Sequence, residues 1–211
     1  MKIAILGGGN GGHAMAANLS IRGHEISFFE LPEFEESIAA AKLKGGIEVT
    51  GFPAKQQKQK KIFVEISNVT SNIKEAMKGA KVIMVVVPSF AHEVFIKHFA
   101  EYLEDGQIVV FHAGKLASLL CLKILNDLDV KKNIIVGETS TLPYGCRLQG
   151  PSKIFIKSIK YKVRFSACPA IRNKEAMEVL NDVFSEFYAG KNVFDLFSCA
   201  PALHPISTLL N

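Results

Sequence analysis

The stretch KIAILGGGNGGHAMAANLSIRGHEISFFE, residues 2–30, decides the fold. KIAIL (2–6) predicts a strand, GGHAMAANLSIRG a helix closed by Gly23, and EISFFE (25–30) a second strand. Between the first strand and the helix lie five glycines in the six positions Gly7–Gly12, and Gly7, Gly9 and Gly12 fit G-x-G-x-x-G. The first glycine permits the tight turn, the second lets a pyrophosphate approach the backbone, and the third brings the helix close to the strand. Free N–H groups at such a helix start, aided by the helix dipole, meet a phosphate's charge. Ala16 keeps the next turn small for the same packing reason. A triphosphate loop needs Gly-Lys-Ser/Thr at its end, whereas His13 and Ala14 follow Gly12 here, so that reading fails. A glycine-rich turn without a ligand is the plainer alternative, and the motif's position between strand and helix counts against it.

Glu30 sharpens the reading. It ends the second strand 18 residues past Gly12, near the offset of roughly 20 expected for a ribose-binding acid. A carboxylate there accepts bonds from ribose hydroxyls and repels a 2′-phosphate. Leu31, Pro32 and Glu33 follow without an arginine, which favours NAD over NADP. Pro88, closing the apolar run KVIMVVV (81–87), flanks the same crevice. The expected cofactor contacts are thus Gly7, Gly9, Asn10, Gly11, Gly12, Glu30 and Pro88.

Outward from this unit, strands and helices alternate. A helix is expected over PEFEESIAAAKLKGG, strands over GIEVTG and KIFVEIS (61–67) around a basic loop, and a short helix over SNIKEAMKGA. Helices at 89–102 and 115–128 separate the strands KVIMVVV, GQIVVF (106–111) and NIIVGE (133–138). The runs at 82–87 and 134–136 do not alternate polar with apolar residues, as in parallel strands buried on both faces. The fold predicted is α/β: a doubly wound parallel sheet. After residue 150, SKIFIKSIKYKVRFSA predicts two half-exposed strands around Ser158, as a hairpin or edge extension, and a helix follows at 172–188. The expected domains are 1–198, the dinucleotide unit with its β extension, and 199–211, the opening of a helical second domain.

The chain has 211 residues, 48% hydrophobic and 21% charged, a composition that argues against disorder. Its net charge of +5 is scattered apart from AKQQKQKK (54–61), read as a solvated loop, so no nucleic-acid partner is expected. Four cysteines form no CxxC pair and no metal-ligand spacing with the histidines, so no metal is expected and the thiols read as reduced. The apolar run IAIL is too short for a signal peptide, and no segment reaches the ~18–20 apolar residues of a membrane span. A cytoplasmic protein is expected, and the end near residue 200 leaves a homodimer open.

Ligands of such sheets sit outside the carboxyl ends of the strands. The loops there include VPSFAH (87–92), FHAGK (111–115) and GETSTLPYGCR (137–147). Glu138 and Thr139 would lie near a nicotinamide or substrate. Among the histidines, His24 reads as structural and His92, His98 and His112 as ambiguous. His204, just before Pro205, is placed to move a proton near neutral pH.

Taken together, GGGNGGHAMAANLSIRGHEISFFE, VVVPSFAH, GETSTLPYGCR and LHPISTLLN resemble the opine (octopine and nopaline) dehydrogenase family along the whole chain. The resemblance implies an N-terminal Rossmann domain, a helical second domain, and reductive condensation of an amino acid with a 2-oxo acid using NADH or NADPH. It also implies that His204 is catalytic, paired with an aspartate of the second domain, and that Glu138 and Thr139 are substrate contacts. HAGKLAS departs from the proline-glycine pattern of the family, and Lys115 stands within it. Two other readings are a two-domain dehydrogenase of a small hydroxy acid or sugar phosphate, and a non-catalytic dinucleotide sensor.

Overall fold

The computed structural model describes residues 1–196. Its strands are β1 (Lys2–Leu6), β2 (Glu25–Phe29), β3 (Gly46–Gly51), β4 (Lys61–Glu65), β5 (Asn68–Thr70), β6 (Val82–Val85), β7 (Ile108–Phe111), β8 (Ile135–Thr139), β9 (Tyr144–Gly150), β10 (Lys153–Ile159), β11 (Val163–Cys168) and β12 (Phe187–Ala189). Its helices are α1 (Asn10–Ile21), α2 (Glu36–Lys44), α3 (Phe52–Gln56), α4 (Ile73–Met77), α5 (His92–Phe99), α6 (Ala117–Asp127) and α7 (Asn173–Val183).

The main sheet has the order β12-β11-β8-β7-β6-β1-β2-β5. From β5 to β8 all neighbours are parallel, while β11 joins β8 antiparallel and carries β12 beside it. Chain order reverses at β1, with β2 on one flank and β6 on the other, which is the switch point of a doubly wound sheet. Apolar residues fill both faces. Ile3 and Ile5 enter the core shared with α1 and α7, and Ala4 and Leu6 enter the core under α4, α5 and α6. That division explains why these strands read as uninterrupted apolar runs.

A second sheet, β4-β3-β10-β9, lies over α1. Its Ile47, Val49, Ile154 and Ile156 join the core that holds α1 residues Ala14, Met15, Ala17 and Leu19. Helix α1 is therefore enclosed from both sides, and residues Gly12–Leu19 are all buried. Its small side chains let two sheets approach one helix, and it shows no polar stripe of the kind a surface helix needs.

Several expectations are corrected. The two strands after residue 150 break at 160–162, not Ser158, and do not pair: β10 joins the second sheet and β11 the main one. The helix expected to reach 188 stops at Val183, and Phe187–Ala189 continues as strand β12. Phe187 still reaches the core, stacked on Phe184 at 4.8 Å. Within 137–147, expected as a loop, only 140–143 is irregular, and Tyr144 opens β9. The basic run 54–61, expected as a solvated loop, is exposed over 55–60, but it begins inside helix α3 with Ala54 buried and ends at Lys61, which opens β4.

The parallel registers align Phe29, Leu6, Val85, Phe111 and Glu138 in one row across the sheet. One residue further along each strand stand Glu30, Gly7, Val86, His112 and Thr139, which form the carboxyl rim of the crevice.

Candidate functional site

The glycine loop is shaped by what surrounds it. Gly7 has φ +118°, and a Cβ there would sit 2.5 Å from the Val86 carbonyl oxygen just past β6, so the turn from β1 to α1 admits only glycine. A Cβ on Gly12 would collide with the Gly7 carbonyl oxygen, which sets how closely α1 meets β1. At Gly11 it would press on Val86 and Leu142. Gly9 differs: a Cβ there meets nothing within 4 Å. The loop is packed tightly underneath and open at Gly9.

Helix α1 begins at Asn10, with Gly9 as a cap that offers no side chain and no acidic residue in its first turn. The Gly9 carbonyl takes the His13 N–H at 3.1 Å. Among the described residues, the N–H groups of Asn10, Gly11 and Gly12 have no acceptor. These are the unpaired donors of a helix start, and they follow directly on the open position Gly9.

Glu30 lies across this opening, 9% exposed. Its Oε2 accepts the Gly8 N–H at 2.7 Å and its Oε1 the Leu31 N–H at 2.8 Å. Burial raises its carboxyl above the ordinary value, against the opposing pull of those two donors. Each oxygen keeps acceptor capacity for a hydroxyl. The following turn carries Glu33, Glu35 and Glu36 and no cation, an environment that disfavours a second phosphate on the ribose. An open cradle at Gly9, outward N–H donors and a ribose-type acid at one switch point fit a dinucleotide.

The other expected residues divide. Pro88 is exposed just beyond β6, at the start of a 3-10 turn. The Asn10 side chain turns away from the crevice: its Oδ1 accepts the Leu148 N–H at 2.7 Å, tying β9 to the loop. Glu138 is 1% exposed, and its carboxylate accepts the Leu116 and Ser118 N–H groups and the Ser118 hydroxyl, each at 2.9 Å. It anchors the start of α6 and the preceding turn, where Ala113, Lys115 and Leu116 all have positive φ. Thr139 is buried too, donating to the Thr141 carbonyl at 2.9 Å. His204 lies outside the described residues.

The ambiguous histidines resolve as packing. His112 is buried between Met84 (3.2 Å) and Thr139 (3.3 Å), and burial lowers its pKa to about 3. His92 packs on Phe111 at 5.3 Å, His98 on Phe29 at 6.1 Å, and burial lowers the His92 pKa as well. The sequence reading missed Leu142, which covers Gly11 from the 140–143 loop, and His13, which supports Gly9 from below. Leu142 stands 131 positions from Gly11, a contact with no local signal.

Among the described residues, no helix is long and apolar enough to cross a membrane and no group of three or more His, Cys, Asp or Glu could hold a metal. Residues 2–117 match the family described as NAD-dependent glycerol-3-phosphate dehydrogenase N-terminus. The opine dehydrogenase of Arthrobacter sp. (strain 1C) is 29% identical over 215 residues, covering 99% of this chain and 56% of that protein. The octopine dehydrogenase of Mizuhopecten yessoensis is 28% identical over 152 residues, 71% of this chain and 37% of that protein. A solved octopine dehydrogenase, crystallised with NADH and L-arginine, superposes with a TM-score of 0.72 at 22% identity, covering 93% of this chain and 50% of that one. The chain thus spans about half the length of the relatives it matches. It belongs to the family of the NAD-dependent glycerol-3-phosphate dehydrogenase N-terminus, as a Rossmann-type domain with NAD as its cofactor.

Proposed function

We propose that the protein joins an amino acid to a 2-oxo acid by reducing the imine formed between them. The observation that carries this reading is the likeness to an opine dehydrogenase over 99% of the chain. It runs past residue 117, where the match to the dinucleotide-domain family ends, through the ETSTLPYGCR segment.

Bound NADH would supply the hydride for the imine carbon. The chain's own residues hold and orient it. Helix α1 presents the Asn10, Gly11 and Gly12 N–H groups to the pyrophosphate, and Glu30 accepts the ribose hydroxyls. Val86 and Leu142 give the crevice an apolar wall, and Pro88 flanks it. Glu138 acts by fixing the turn at 113–116, and Thr139 by fixing the 140–143 loop, both at the rim where substrate is held. His204 supplies the proton that accompanies reduction, with an aspartate of a second domain as its partner.

The test is a screen of amino acid and 2-oxo acid pairs with NADH and NADPH, using the longest natural form of the protein. NADH oxidation that needs both substrates together, and is lost in His204→Asn, is the expected result. A second reading, reduction of a sugar phosphate, draws on the family match at 2–117. Oxidation of NADH by dihydroxyacetone phosphate alone would select it. NADH binding without turnover on any pair would select the sensor reading.

A further inference from the structure

His13 is the first residue past the glycine motif, and it is 0% exposed. Its ring meets Phe28 edge-on at 4.9 Å, which would suit any flat apolar side chain. One contact is particular to histidine: Nδ1 lies 3.2 Å from the Gly9 carbonyl oxygen. That oxygen only accepts, so Nδ1 carries the proton and Nε2 is left with a bare lone pair. Nε2 is buried and has no partner among the described residues. A leucine would fill the space without stranding a polar atom, so the histidine's distinctive contribution is its Nδ1–H.

The Gly9 carbonyl is thus gripped by two donors of one residue, the His13 main-chain N–H at 3.1 Å and the ring Nδ1–H at 3.2 Å. A trans peptide is planar, with its C=O and N–H pointing in opposite directions. Drawing the Gly9 oxygen into the helix therefore turns the Asn10 N–H outward, toward the open side of Gly9. Asn10 is held from the other side as well: Leu148 N–H bonds its Oδ1 at 2.7 Å, and the Cys146 thiol reaches its carbonyl oxygen at 3.4 Å.

We propose that His13 is a positioning residue for the cofactor: through Nδ1–H it locks the Gly9–Asn10 peptide so that the Asn10 N–H stands ready for a phosphate oxygen. The donor is oriented before the ligand arrives, so binding does not spend free energy on orienting it. The inference concerns the pyrophosphate site alone and holds whichever substrate the protein reduces.

The test compares ADP, which carries the pyrophosphate, with adenosine, which reaches only the Glu30 side. Affinities are measured by calorimetry for ADP and by ligand-observed NMR for adenosine. His13→Asn keeps an N–H near the Nδ1 position; His13→Gln and His13→Leu do not. The expected result is ADP binding weakened about fivefold in H13Q and H13L, the worth of one net hydrogen bond, and held within about twofold in H13N. Adenosine affinity stays unchanged in all three. Equal ADP losses in H13N and H13L would show that the ring only fills space and would overturn the proposal. So would no loss in H13L, or a loss shared by adenosine. Should H13L fail to fold, the contrast between H13N and H13Q decides. A wild-type protein that binds no ADP would sink the inference and the cofactor site together, with no bearing on substrate choice.

Discussion

Gly9 and Gly12 are the same residue for opposite reasons. At Gly12 a methyl group would strike the Gly7 carbonyl oxygen, so the constraint lies inside the protein. At Gly9 it would meet nothing, and the backbone at φ −77°, ψ −170° is open to alanine. Gly12→Ala should therefore lower the unfolding free energy by several kcal/mol, on the order of a severe core clash. Gly9→Ala should leave the stability of the free protein within about 0.5 kcal/mol and weaken NADH binding at least tenfold. Denaturant unfolding and NADH fluorescence titration separate the two effects. Glu30 adds a pH signature. Burial raises its folded-state pKa above 4.5, so acidification protonates it earlier than an ordinary glutamate. The protonated acid no longer offers two acceptors to the ribose, so NAD⁺ affinity should fall as the pH drops toward that raised value. For stability the sign is the reverse: a raised carboxyl pKa favours the folded state at low pH, and that contribution is lost as the pH rises through it. In Glu30→Gln the acid limb of the NAD⁺ affinity profile should disappear.

At the scale of elements, the tie between β9 and α1 is the least local feature of the site. Tyr144, which opens β9, is buried and donates its hydroxyl to Asn18 Oδ1 at 3.1 Å. Tyr144→Phe keeps the ring against Phe184 and leaves that acceptor without its donor, at a cost of about 1–3 kcal/mol. Urea unfolding should register the loss while ADP affinity is unchanged, because Asn18 lies two helical turns past the phosphate donors. This tie also marks where the sequence stopped being legible. KIAIL, EISFF and VIMV announced buried parallel strands through their own composition, and the spacing of Gly7 and Gly12 foretold the close approach of α1 to β1. The contacts of Asn10 with Leu148 and of Gly11 with Leu142 depend on the 140–143 loop and β9 returning from more than 130 positions away. Glu138 misled for a related reason. A carboxylate at the end of a rim strand suits a substrate, and only the fold reveals that the start of α6 already uses it. The helix expected through 188 failed because Phe184, Phe187 and Tyr188 continue an apolar spacing that a strand edge satisfies equally well.

At the scale of the molecule, α1 belongs to two sheets at once, and this makes a claim about cooperativity. Its residues 12–19 are buried against the main sheet on one side and β3, β4, β9 and β10 on the other. Arg22, just past its end, forms a two-pronged ion pair with Glu186 at 2.6 and 3.0 Å and lies 5.0 Å over Phe184, joining α1 to the α7–β12 corner. Burial would raise the Glu186 carboxyl, but the Arg22 guanidinium overcomes it and holds the group below its ordinary value. A lowered carboxyl pKa stabilises the fold at neutral pH, and that contribution is lost as acidification protonates Glu186. Neither sheet can release its face of α1 without exposing the core shared with the other, so the described residues should unfold in one transition. A ligand held at the start of α1 should then shift that whole transition. At NADH one hundred times its Kd, linkage adds about 2.7 kcal/mol, or roughly 5–10 °C in Tm for a chain of this size. Thermal unfolding followed by far-UV circular dichroism and by amide hydrogen exchange should show the same displacement in β3, β4, β9 and β10 as in β1 and β6. Displacement confined to the main sheet would mean that the second sheet folds separately, and that α1 is not the bridge its burial describes.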